Sequence, residues 1–287
     1  LNLFMQSIID GILNGAIYAV IALGLTLIFG VMKIINMAHG EFVMLGMFST
    51  YFIYQYAGLD PYLTIPFTGI IVFLFGLLMY QFGVGKIPGL TEENSLLFTA
   101  GASLFIANLA QFLWSPNYRR LDLPYGVTTL QVGDLAISVT KIISLCIVLV
   151  CVIGLWYFLH KTFVGMAIRA SSQEKIAASL MGINVKRIAM ITFGIGAGFS
   201  AIAGTLLTAE IAFYPTVGTI FIIKAFIVVV LGGMGNIPGA AVGGIILGVA
   251  ESLGAVYVSS GFTDAYGLII FLLILLFRPQ GLLGRKV

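Results

Sequence analysis

Apolar residues run in nine long blocks, at roughly 8–30, 35–56, 62–84, 95–114, 140–160, 188–209, 219–234, 239–258 and 264–278. About 20 mostly apolar residues carry a helix across a bilayer. The pattern therefore predicts an all-α, polytopic integral membrane protein of about nine transmembrane helices, eight to ten if Gly-rich runs break or re-enter. Residues 1–287 read as one transmembrane domain with two long connections. In 115–139 the stretch from Val127 to Val139 alternates like a short hairpin, with Gly133-Asp134 as turn chemistry. In 161–187 helix formers dominate from Ser171 to Met181 and Gly182 reads as a stop, which predicts a short helix lying at one membrane face.

Composition strengthens this picture. The chain is 60% hydrophobic and 9% charged, with mean hydropathy +1.11, whereas a soluble domain carries about 25% charge. That excludes a large soluble domain. The net charge of +3 comes from basic residues scattered at span edges, which is no nucleic-acid signature. Ten of them (Lys33, Lys86, Lys161, Arg169, Lys175, Lys186, Arg187, Arg278, Arg285 and Lys286) fall at one set of span ends, against Arg119, Arg120 and Lys141 at the other. The positive-inside rule then places the N-terminus outside and the C-terminus in the cytoplasm. Loop 115–139 is external and loop 161–187 cytoplasmic on that assignment. No Lys or Arg precedes Lys33, so the first run is expected to be a retained span, not a cleaved signal. Cys146 and Cys151, five residues apart in one run, would have Cα atoms roughly 8 Å apart on a helix, too far for a disulfide.

The 35 glycines exceed the roughly 20 expected at average usage. Small residues four apart (Gly11/Gly15, Gly194/Gly198, Ser200/Gly204, Gly244/Gly248) predict close helix approach. Gly232-Gly233-Met234-Gly235-Asn236-Ile237-Pro238-Gly239 is too broken to stay helical. It lacks the Gly-Lys-Ser/Thr ending of a phosphate loop, so it predicts a tight turn or helix break and not an ATP site. Phe29–Gly46 aligned without gaps on Leu231–Gly248 shares Gly30/Gly232, Met32/Met234, Ile35/Ile237, Ala38/Ala240, Leu45/Leu247 and Gly46/Gly248, a weak sign of an internal repeat of the kind transporters carry.

Polar groups inside the runs are the candidate functional residues. Asn36, His39 and Glu41 stand in the apolar stretch Phe29–Phe48, where ionisable groups mark either a translocation pathway or a structural lock. On a regular helix positions 39 and 41 point about 200° apart. They serve two contacts, unless Gly40 breaks the helix and turns both to one site. Lys224 and Glu251, in consecutive runs, are candidates for a buried ion pair. The alternative is that Lys224 snorkels outward and Glu251 meets polar backbone. Asn14, Asn108 and Gln111 are expected to hydrogen-bond between helices. His39-Gly40-Glu41 lacks the Pro-Cys-x-x-Cys partner of a zinc deaminase, and with two histidines there is no His-Glu-x-x-His site. No nucleophile elbow occurs. No enzyme, metal site or cofactor is expected.

Four blocks carry a family resemblance: GAIYAVIALGLTLIFGVMKIINMAHGEFVMLG (Gly15–Gly46), RASSQEKIAASLMGINVKRIAMITFGIGAGFSAIAGTL (Arg169–Leu206), VVVLGGMGNIPGAAVGGIILGVAE (Val228–Glu251) and LLFRPQGLLG (Leu275–Gly284). Together they resemble the LivH-type permeases of ABC importers for branched-chain amino acids. The resemblance implies a bacterial or archaeal cytoplasmic (inner) membrane and a second homologous permease. It also implies two cytoplasmic ATPase subunits that hydrolyse the ATP and an external (periplasmic) solute-binding protein. The segment around Arg169, Glu174, Ala177, Ala178, Gly182 and Asn184 resembles the coupling helix that docks into an ATPase, loosely echoing the EAA-then-Gly pattern of other importers. Relatives in the same family move urea, short amides or small carboxylates, so the substrate stays open between these and branched-chain amino acids. An ion-coupled secondary transporter is the other class, with Glu41 as its lone candidate ion ligand.

Overall fold

The computed structural model describes residues 2–87 and 91–284. Each apolar run holds one helix: α1 Asn2–Met32, α2 His39–Ala57, α3 Ile65–Phe82, α4 Glu92–Trp114, α5 Val139–Lys161, α8 Val185–Thr208, α9 Gly218–Gly232, α10 Ile237–Tyr257 and α11 Thr263–Phe277. Between α5 and α8 lie α6 Phe163–Gln173 and α7 Lys175–Leu180. Seven helical segments among the described residues are long and apolar enough to cross a bilayer; α9, at 15 residues, is shorter. α2 is absent from the seven because polar residues open it.

α1 is apolar on every side and lies at the centre, with Val20, Ile21, Ala22 and Leu23 fully buried. Its principal neighbours are α10 and α8. The α1–α10 contact explains two of the glycine pairs. A Cβ on Gly15 would stand 2.5 Å from the Gly244 carbonyl oxygen, one on Gly11 2.5 Å from Val249 Cα, and Gly248 lies directly against the Gly11 carbonyl. Only a bare backbone fits there, and that closeness gives two apolar helices dispersion contact where no hydrophobic force acts between them. Gly24 meets Gly196 of α8 in the same way.

The periphery is inverted relative to a soluble fold. α3 turns Phe67, Ile70, Ile71 and Leu74 outward, α5 Leu149, Val150 and Ile153, and α11 Leu268, Ile269, Leu272 and Leu273. Apolar surface this continuous belongs in lipid.

Two ends are distinct. At the end where α1 starts, strands β1 Thr129–Val132 and β2 Leu135–Ser138 pair antiparallel with Thr129 opposite Ser138. Gly133 at φ +62 makes the turn. Gln6 holds the hairpin by donating to Ala136 O at 2.8 Å and accepting from Ala136 N at 3.1 Å. Tyr125 donates to the Asp60 carboxylate, and burial together with that bond holds its phenol above the ordinary range. At the other end the glycine-rich stretch breaks the chain between α9 and α10, with Gly233 at φ +99 and Gly235 at φ +82. Leu282 N donates to Leu231 O at 2.8 Å, which ties the last described residues to that turn. Arg285 and Lys286, counted above as flanking charges, lie outside the described residues.

Two expectations are corrected. Asn36 is not on a helix: α2 begins at His39, and residues 33–38 form an irregular connection. The single helix expected from Ser171 to Met181 is two helices, because Glu174 takes an extended backbone (φ −150, ψ 108) and its carboxylate caps Ile176 N at 3.2 Å.

Candidate functional site

The turn from α1 to α2 is the polar centre of the bundle. Lys33 leaves α1 at φ +58, a left-handed conformation that costs a side-chain-bearing residue about 1–2 kcal/mol. Asn36 then makes a local turn, its Oδ1 accepting from Ala38 N at 3.1 Å. His39 Nε2 lies 2.9 Å from Ile21 O and 2.7 Å from Ser200 Oγ. Ser200 donates its own proton to Gly196 O at 3.1 Å, so Nε2 carries the hydrogen and donates to both. Ile21 lies eleven residues before the end of α1, which is about 16 Å along the axis. The turn therefore climbs back beside α1, and α2 starts deep in the bundle. Irregular backbone at such depth is tolerated only where protein or a cavity surrounds it.

α4 supplies that surround. Ser95, Thr99 and Ser103, four apart, form one face. Thr99 Oγ1 accepts from Met37 N at 3.1 Å and Ser103 Oγ donates to Glu41 Oε1 at 3.1 Å. Beyond this stripe α4 holds little of the molecule, and large side chains such as Leu97, Leu104, Phe105 and Phe112 face outward. Asn108, expected to bond between helices, is exposed and donates to Leu104 O of its own helix at 2.7 Å. The reason is the same loose packing, which leaves no second helix within reach.

Glu41 is 1% exposed. Gly40 stays helical, so His39 and Glu41 face different neighbours: His39 meets α1 and α8, Glu41 meets α4 and the start of α9. Gly40 packs on the Gly218 carbonyl, and a Cβ on Gly218 would stand 2.7 Å from the Glu41 carboxylate. Asn36 Nδ2, His39 Nδ1 and Glu41 Oε2, in or just after this turn, are buried without a hydrogen-bond partner, as are Thr26 Oγ1 of α1 and Ser171 Oγ of α6.

Lys224 and Glu251 meet at 2.5 Å, Nζ to Oε1. Asp264, in the first turn of α11, joins them with Oδ1 2.9 Å from the same Nζ, and the Tyr18 ring centroid lies 5.0 Å away. Sequence reasoning did not single out Asp264, Tyr18 or the α4 stripe, and it took Ser200 only as a small packing residue paired with Gly204. The four-residue spacing of Ser95, Thr99 and Ser103 was the available signal.

In the 161–187 loop, Arg169, Glu174, Ala177, Gly182 and Asn184 are exposed while Ala178 is buried. Gly182 sits at φ +84, and Asn184 Oδ1 caps α8 through Arg187 N at 3.0 Å. Ile176, Leu180 and Met181 stand 73%, 83% and 84% exposed, an apolar patch beside charged residues.

A lipid-facing helical bundle around a buried polar turn defines a multi-pass membrane protein. Residues 7–278 match the family described as the branched-chain amino acid transport system permease component, and the chain belongs to that family. It is 32% identical to the high-affinity branched-chain amino acid transport system permease protein LivH of Salmonella typhimurium, over 98% of this chain and 96% of that protein. It is 31% identical to BraD of Pseudomonas aeruginosa over the same shares. LivM of Salmonella typhimurium, also a permease protein of the high-affinity branched-chain amino acid transport system, is 26% identical over 93% of this chain and 68% of that protein. Among solved structures, PsaBC from Streptococcus pneumoniae in complex with Fab matches 97% of this chain and 91% of that one at 13% identity and a TM-score of 0.47, too remote to argue from.

Proposed function

We propose that this chain is the permease subunit of an ATP-driven importer of branched-chain or related hydrophobic amino acids, a single nine-span domain with its N-terminus outside. The observation that carries the reading is the family match across nearly the whole chain. Substrate handed over at the hairpin end passes along the seam between the α1–α2 turn and α4. His39, bonded to two helices, locks the turn, and Asn36 and Glu41 line the route. LivH and LivM of one organism share a system name and both resemble this chain, which supports a second, related permease beside it. The remaining partners are two ATPases and an external solute-binding protein, in a cytoplasmic membrane. The ATPases dock at α6–α7, where Ile176, Leu180 and Met181 offer an apolar contact flanked by Arg169 and Glu174. Ala178 underpins that contact, Ala177 faces it, and Gly182 and Asn184 set its exit.

Glu174→Lys and Gly182→Pro test the docking assignment. Each should reduce ATP-driven uptake at least tenfold while membrane insertion stays normal. Wild-type uptake in both variants removes α6–α7 from the coupling role.

A further inference from the structure

Among the described residues Glu41 has no positive partner. The ion pairs among the described residues are Lys141 with Asp10 and Lys224 with Glu251 and Asp264, so the cation nearest in sequence on α9 is already committed. The carboxylate takes one hydrogen bond, from Ser103, and its Oε2 faces the opening turn of α9 with none. That turn has no side-chain cap at Val217. A buried carboxylate needs a proton or a cation, and the first N–H groups of a helix favour an anion. Carboxylate and the positive end of the α9 dipole thus stand side by side, the complement of a zwitterion; Thr219 N and Ile220 N already donate to Thr216 O and Val217 O, so the dipole carries the half that faces an anion.

We infer that Glu41 receives the ammonium group of an amino-acid substrate, with the substrate carboxylate turned to the first turn of α9, once α4 withdraws its Ser95–Thr99–Ser103 stripe. The inference rests on the permease reading and names the chemistry of its route. α4 is the element suited to move. Hydroxyl bonds from Thr99 and Ser103 hold it to the turn, while its apolar anchors Ile106, Ala110 and Trp114 lie further along the helix, so withdrawal of the stripe uncovers the Glu41 carboxylate. The amine, and not the side chain, is then what this step recognises, so substrates without an amine gain nothing from Glu41.

The test uses the complete importer in proteoliposomes, with Ser103→Cys placed in a background lacking Cys146 and Cys151. A cationic thiosulfonate should label Cys at 103 at least tenfold faster than an anionic one during ATP turnover, and adding Glu41→Gln should abolish the preference. Excess leucine should slow labelling severalfold, and 4-methylpentanoate, its skeleton without the amine, should not. Glu41→Gln should cut leucine uptake at least tenfold at unchanged thermal stability, with Glu41→Asp in between. Equal protection by both compounds, no protection by either, a thiol that never reacts, or loss of uptake only in step with unfolding each overturns the inference. Absence of ATP-driven uptake in the unsubstituted assembly would instead overturn the permease reading, and leucine protection would still report on Glu41.

Discussion

At the scale of single residues, charge inside lipid sets the rules. Lys224 and Glu251 were legible as partners because each stands alone in an apolar run, where a lone charge is expensive. Asp264 was not legible, because a carboxylate at the start of a helix needs no explanation in sequence. The structure makes the three unequal: the side chains of Lys224 and Glu251 are 9% and 5% exposed, that of Asp264 69%. Removing either buried member leaves an uncompensated charge and should cost about 3–5 kcal/mol. Asp264→Asn should cost at most about 1 kcal/mol, as exposed pairs do. Thermal unfolding of Lys224→Ala, Glu251→Ala and the double variant checks this. The double variant should be milder than the sum of the singles, and strict additivity would deny the pair. Asn36, His39 and Glu41 stood out for the same reason as Lys224. Their contacts did not, since Ser200 and Gly218 look like ordinary small packing residues until the fold brings them together.

At the scale of elements, helix positions were readable and helix ends were not. Periodicity is absent from a helix that is apolar all round, so α1 could be bounded only by where polar residues begin. The break at Glu174 was hidden because Gln173, Glu174 and Lys175 are good helix formers and no Gly or Pro marks it. Thr162 Oγ1 caps α6 by accepting from Gly165 N at 3.0 Å, which fixes the helix start at Phe163. The glycine pairs gave more than any single spacing promised, because Gly11/Gly15 and Gly244/Gly248 pack on each other across α1 and α10. Gly248→Ala should therefore lower stability by about 1–3 kcal/mol, the usual cost of overpacking. Gly154→Ala, in a helix where an added Cβ meets nothing within 4 Å, should be neutral or stabilising. Equal melting of the two variants would contradict the close α1–α10 contact.

At the scale of the whole molecule, the bundle divides its labour between two ends. The hairpin end carries Asp10, Asp60, Asp122 and Asp134, and the opposite end gathers α6, α7 and most of the basic residues. Lys175 Nζ reaches Met32 O at 3.1 Å, so a push on α7 is felt where α1 gives way to the polar turn. On the function proposed above, that link is the mechanical path from docking surface to route, with the energy supplied by other subunits and this chain contributing the moving polar seam. Uptake of labelled leucine into proteoliposomes tests this division most directly, comparing the chain alone with the chain assembled with its second permease, ATPases and binding protein. The account predicts accumulation against a gradient only in the assembly and only with ATP; uphill accumulation by the lone chain would contradict it.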